Sequence, residues 1–201
     1  MTDAGVTAIA PDGPPWQVET RAGSFAAVVL VDAAGAWADE LAAMAGASPL
    51  GLVPKRRTAM VIESSIEVDP AWPLVFDVGE QFYLKPEAGQ LLGSPADQTP
   101  MPSCDVQPDE LDIATAVDRI EHAAAIEVRR IRHKWAGFRT FAADHTPVVG
   151  MDDLRPGFFW LAGQGGYGIQ TAPAMARAAA RLLVDGVLPE ISWRWASRPR
   201  T

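Results

Sequence analysis

Two continuously apolar runs, Phe25 to Val31 and Phe158 to Ala162, lie near opposite ends of the chain, and each leads through a glycine-bearing loop into a helix of small residues. The first run, rich in valine, predicts a strand buried on both faces, and the second predicts another apolar strand. The first run enters Asp32-Ala33-Ala34-Gly35-Ala36-Trp37 and a predicted helix from Ala36 to about Ala45, ended by Gly46. The second enters Gly163 to Gly168 and an alanine-rich helix predicted from about Pro173 to Val184.

The stretch between them has a different texture. Thr58 to Ile62, Leu74 to Val78, Gln81 to Lys85 and Gln90 to Ser94 read as short strands, and the links Gly79-Glu80 and Pro86-Glu87-Ala88-Gly89 are short enough to require antiparallel pairing. A proline-rich excursion, Pro95 to Pro108, precedes a helix start with Pro108 in its first turn and Asp109 and Glu110 at the positive dipole end. Ile113, Val117, Ile120 and Ala124 recur at helical spacing and predict the face that packs on the sheet. At the start of the chain, Val6 to Ala10 and Trp16 to Thr20 flank the turn Pro11-Asp12-Gly13-Pro14 as a small β-meander.

This order predicts an α/β plus α+β protein. Residues 1–49 and 146–190 form one layered domain from the two chain ends, 50–145 form an inserted antiparallel domain, and 191–201 are a tail. With 201 residues and 48% hydrophobic content, the chain is long enough to bury such cores. Seventeen basic against 25 acidic residues give a net charge of −8, which argues against binding a phosphate backbone or an anionic membrane surface. Cys104 is the only cysteine, so an internal disulfide and a multi-cysteine zinc site are excluded. No apolar run reaches the roughly 18 residues of a membrane span, and the first residues lack a signal-peptide pattern, so a cytoplasmic protein is expected.

Gly163-Gln164-Gly165-Gly166-Tyr167-Gly168 fits G-x-G-x-x-G formally, but a dinucleotide fingerprint needs a further strand bearing an acidic residue about 20 positions on. The chain instead reaches Leu188-Pro189-Glu190 and soon ends, and Pro173 predicts a late helix start. Two readings of these glycines stay open: a tight turn, or a loop that lets a ligand approach backbone N–H groups at a helix N-terminus. Arg139, amid Trp135-Ala136-Gly137-Phe138, needs an anionic partner, which a structural salt bridge or a substrate carboxylate would supply. Tyr83 alternates with Phe82 and Leu84 on a strand and either binds a ligand or lies on the sheet surface. Arg129, Arg130, Arg132, His133 and Lys134 read as a solvated face, and His122, His133 and His145 lack metal-ligand spacing.

Val28 to Ala38, the pair Trp135-Ala136-Gly137-Phe138-Arg139 and Thr146-Pro147-Val148-Val149-Gly150, and Gly163 to Ile169 together resemble, in order and spacing, the D-amino acid oxidase and glycine oxidase family. The resemblance runs from about Val6 to Leu188. It implies an FAD-dependent enzyme with a discontinuous FAD-binding domain of three-layer ββα type and an inserted antiparallel substrate domain. The implied chemistry is oxidation of a small amino acid or secondary amine by hydride transfer to flavin N5. By the same resemblance, Arg139 would bind the substrate carboxylate and Tyr83 would stand beside it. Gln164, Gly165, Gly166, Tyr167, Gly168, Ile169 and Gln170 would line the flavin, Ala34, Gly35 and Trp37 would form a second cofactor loop, and Val6 would meet the adenine.

Family members begin with a strand, a G-x-G-x-x-G loop and a helix, and nothing upstream of Val6 supplies these. Gly166 also stands where glycine oxidases can carry a second arginine. The expectation is therefore a partial chain that takes its missing segment from an N-terminal partner, or else a truncated, self-associating remnant or interaction module without catalysis.

Overall fold

The computed structural model describes residues 2–10 and 12–187; Pro11 of the first predicted turn, Leu188-Pro189-Glu190 and the 191–201 tail lie outside the described residues. The chain divides into two units: one made of residues up to Val53 together with those from Thr140 onwards, and one of Pro54–Arg139.

The first unit opens with an antiparallel meander of β1 (Val6–Ile9), β2 (Trp16–Thr20) and β3 (Gly23–Ala27). Here the structure corrects an expectation. Phe25 to Val31 is not one buried strand: β3 pairs with β2 along its whole length and is exposed throughout, the chain bends at Val28-Val29, and β4 (Leu30–Asp32) joins a different sheet. The run is uniformly apolar, so nothing local marks where one strand partner is exchanged for another.

In that second sheet, β11 (Phe158–Ala162) is central. It pairs antiparallel with β10 (Val148–Met151) and parallel with β4, placing Trp160 opposite Asp32. A 3-10 turn (Gly35–Trp37) leads into α1 (Ala38–Met44), whose Ala38 and Ala42 are fully buried. Small side chains let α1 join a core made with Ile9, Trp16, Phe158, Trp160 and Ala162, in which Trp16 meets Phe158 edge-on at 6.0 Å. Both carboxylate oxygens of Asp39 accept backbone bonds, from Leu50 at 2.8 Å and Leu52 at 2.7 Å, tying the segment after α1 back to the helix.

The last helix, α3 (Gly168–Asp185), starts five residues before the predicted Pro173, which lies inside it. Proline there forgoes one i→i−4 bond, a cost the rest of an 18-residue helix absorbs. The predicted late start, and with it the long loop, is therefore overturned. Among the described residues no helix is long and apolar enough to cross a membrane.

The second unit carries the five-stranded sheet of order β6-β7-β8-β5-β9, built from β5 (Val53–Ser64), β6 (Val75–Phe76), β7 (Tyr83–Glu87), β8 (Gln90–Ser94) and β9 (Val128–Phe141). The β7–β8 link is tighter than expected: Pro86 and Glu87 belong to the strand, and Ala88 and Gly89, with φ of +48° and +77°, make a two-residue turn whose twist matches the hairpin. Helix α2 (Glu110–Ala124) is capped by Asp109, whose Oδ1 accepts from the backbone N–H groups of Leu111 and Asp112, so Pro108 lies just outside it. Ile113, Ala116 and Ile120 pack with Met60, Ile62, Phe82, Leu84 and Leu91, burying one face of the sheet under α2.

Candidate functional site

Within the first unit, two of the predicted loops share one edge of a sheet. Because β4 runs parallel to β11, the turn holding Ala34, Gly35 and Trp37 and the loop starting at Gly163 both leave the carboxyl ends of adjacent strands. Parallel sheets bind ligands at that edge. The sequence could not show this, since it does not say which strands pair.

The Gly163 to Gly168 loop is held from below. Gly165 N–H donates to the carbonyl of Thr140 at 2.9 Å, and a Cβ on Gly165 would lie 2.5 Å from the ring of Phe141 at a φ of +54°. Only glycine fits that conformation and space. Above it, α3 begins with no side-chain cap and no acidic residue in its first turn, and its first i→i−4 bond runs from Thr171 N–H to Tyr167. The N–H groups of Gly168, Ile169 and Gln170 thus have no acceptor inside the helix, while Tyr167 and Ile169 are 58% and 94% exposed. An electron-rich group meets both aligned donors and the positive end of the helix dipole here.

The Ala34 turn holds a group with no role assigned from sequence. Asp32 is only 2% exposed; its Oδ1 accepts from Ala34 N–H at 3.1 Å, and its Oδ2 is buried with no hydrogen-bond partner among the described residues. Burial pushes its carboxyl up to about 6, the bond from Ala34 opposing and the charge of Asp39 adding to the rise. Trp37 is 43% exposed, and Val6 opens β1 opposite Thr20, its side chain packing on the core of this unit.

In the second unit, strand register sorts the polar residues by face. Met60 and Leu84 both lie opposite Gly93 and point to the α2 core; Tyr83, opposite Ser94, therefore points to the other face, where its ring stacks on Phe76 at 5.6 Å. Counting back along β5 by two from Val61 places Arg57 on that same face. Arg57 Nε donates to the backbone carbonyl of Asp97 at 2.8 Å, while its Nη1 is buried with no hydrogen-bond partner among the described residues. Burial lowers its guanidinium from the ordinary range, the like charge of Arg139 lowers it further, and contact with Tyr83 and Asp97 works the other way.

Arg57 and Tyr83 thus share one sheet face, and Arg139, on the neighbouring β9, is near enough for its charge to act on Arg57. Tyr83 and Arg139 are legible as candidates in the sequence, whereas Arg57 is legible only through strand register. Arg132 and Lys134 of the basic run pair with Glu63 and Glu110.

The FAD dependent oxidoreductase family model matches residues 1–182. The chain belongs to that family. It is 28% identical over 177 residues to FAD-dependent oxidoreductase domain-containing protein 1 of Xenopus laevis, covering 79% of this chain and 35% of the relative. It is 29% identical over 171 residues to a glycine oxidase of Geobacillus kaustophilus, covering 83% and 43%. Among solved structures, glycine oxidase from Geobacillus kaustophilus superposes with a TM-score of 0.74 at 26% identity, over 93% of this chain and 52% of that one. L-proline dehydrogenase from P. horikoshii gives 0.80 at 22% identity, over 96% and 52%, a likeness of fold. The chain spans about half the length of these structures and less than half of the curated relatives.

Proposed function

We propose that this chain is the flavin-facing and substrate-anchoring part of an FAD-dependent oxidoreductase that oxidises a small amino acid or secondary amine by hydride transfer. The observation that carries this reading is an arginine, Arg139, with no ion pair or hydrogen bond among the described residues, half-buried on β9 and near enough to Arg57 for the two charges to act on each other. A half-buried guanidinium without an acid calls for an external anion.

The residues of the glycine loop fit a flavin ring: a side-chain-free floor at Gly165 and three N–H groups at the start of α3 that have no acceptor inside the helix. Gln164 to Gln170 would line the ring, Ala34, Gly35 and Trp37 would hold the middle of the cofactor, and Val6 would meet its adenine end. When bound, FAD supplies the two-electron acceptor. The chain's own residues bind and orient: Arg139 fixes the carboxylate, and donors at the α3 N-terminus favour an electron-rich flavin edge. The reading puts no acid or base on the protein; the imine product hydrolyses in water. The relative named glycine oxidase supports a small amino acid as the first substrate to try.

A second segment completes the FAD-binding half in this reading. Supporting it, β4 is an edge strand with Val31 41% exposed, and Val28 in the preceding bend is 72% exposed. The competing reading is a self-associating interaction module without catalysis, which the same open edge favours. Coexpression with a segment carrying a strand and G-x-G-x-x-G loop decides between them. The proposal expects a yellow protein whose visible flavin absorbance bleaches on anaerobic addition of glycine; a folded, colourless complex that oxidises no amino acid overturns it.

A further inference from the structure

We propose that Arg57 is a second anion-binding residue, so that one carboxylate is shared between the guanidiniums of Arg57 and Arg139. The proposal rests on the reading of Arg139 given above and goes beyond it by naming a donor and a two-arginine mode of recognition.

Three observations on one sheet face carry it. First, Arg57 Nη1 is buried yet bonds to nothing among the described residues, and a buried charged donor left unmatched is costly unless a ligand completes it. Second, Arg57 is held in place from both ends: Asp97 carbonyl accepts its Nε at 2.8 Å, and Tyr83 contacts the guanidinium. A side chain anchored this way spends little conformational freedom on binding. Third, the acids nearby are already engaged. Asp97 takes Arg56 Nε at 3.0 Å and Thr58 N–H at 2.6 Å, and Asp112 takes Arg56 Nη2 at 2.7 Å; what Asp97 gives Arg57 is a bond to its backbone carbonyl and the field of its charge, not a carboxylate–guanidinium bond.

Two like charges near enough to act on each other repel, and a carboxylate, with two oxygens and about four acceptor sites, relieves that repulsion by accepting from both. A neutral ligand would leave it in place. The site therefore discriminates for anionic substrates more strongly than one arginine would.

The test is titration of the full chain with sodium acetate, followed by proton–nitrogen NMR of the arginine Nε–H groups. The signals of Arg57 and Arg139 should shift along one saturable curve. Arg57→Gln should weaken acetate binding about tenfold or more, and Arg57→Lys, which keeps the charge but loses the fork, by an intermediate factor. Arg132→Gln, which removes a cation already paired with Glu63 at 2.5 Å, should change nothing. Unchanged acetate affinity in folded Arg57→Gln, with Arg139→Gln still weakened, overturns the role of Arg57 and leaves that of Arg139 standing. If neither variant weakens binding, the carboxylate reading of the whole face fails. Should Arg57→Gln not fold, wild-type affinity in Arg57→Lys overturns the two-arginine mode.

Discussion

Arg56 and Arg57 are consecutive on β5 yet meet opposite surroundings: Arg56 contacts Asp97 at 3.0 Å and Asp112 at 2.7 Å, while Nη1 of Arg57 has no hydrogen-bond acceptor among the described residues. Burial alone would lower Arg56 too, but its bonds to Asp97 and Asp112 outweigh that and raise it. Strand alternation produces the difference, sending one guanidinium toward α2 and the other to the far face. The first is structural; the second keeps one buried N–H group without an acceptor among the described residues, the group proposed above to meet an anion.

Removing the structural side of this pair should be expensive. The Asp97 side chain is 5% exposed and also accepts from Thr58 N–H and Oγ1, so Asp97→Ala takes one of its carboxylate partners from the buried Arg56, leaving Asp112, and strands both Thr58 donors. We expect a loss of about 3 kcal/mol or more in urea unfolding. A change within 0.5 kcal/mol, on the order seen for ordinary surface sites, would contradict the arrangement.

Asp32 gives a pH-dependent prediction. Its folded carboxyl titrates near 6 against an ordinary 3.8, so the folded protein binds this proton more tightly than the unfolded chain. Stability from this group is full below about pH 4, declines as pH rises toward 6, and levels off above it. Asp32→Asn removes the decline. The variant should exceed wild type by about 1–2 kcal/mol above pH 7, the shift being discounted for partial solvation, and lose that advantage at acid pH. Parallel stability–pH curves for the two proteins would refute this.

The glycine floor can be tested by one methyl group. Gly165→Ala puts Cβ within 2.5–2.8 Å of Phe141 ring atoms at a left-handed φ, and should cost about 1–3 kcal/mol. Phe141→Leu in the same background should recover part of the loss, as read from denaturant midpoints. No recovery would assign the cost to the backbone conformation alone.

Pro173 in α3 predicts a gain. Alanine restores an N–H that can donate to Ile169, so Pro173→Ala should stabilise the protein by about 1 kcal/mol or more, measured by thermal melting. A lower melting temperature would show that the proline ring is needed for packing.

How much of this was readable in advance depended on how local each signal was. A hairpin link near Ala88-Gly89, a helix start near Asp109 and the outward face of Tyr83 follow from neighbours a few residues away, while the strand places of Pro86 and Glu87 and the position of Pro108 outside the helix needed the pairing and the cap itself. The exchange of partners at Val28-Val29 does not, because the residues on both sides are chemically alike and pairing decides. Pro173 misled for the opposite reason: its local signal is strong, and the remaining turns of α3 override it. Arg57 sits within Lys55-Arg56-Arg57, three consecutive cations with nothing local to set one apart; only the pairing of β5 with β8 and β8 with β7 fixes its register against Tyr83.

Arg56 also reaches the carboxylate of Asp109 at 3.9 Å, the residue that caps α2, while Asp112 in the first turn of that helix grips it at 2.7 Å. Winding of the helix and seating of the strand are therefore one event. In native-state hydrogen exchange the amides of Thr58, Leu111 and Asp112, from sequence positions far apart, should open together as a single cooperative unit.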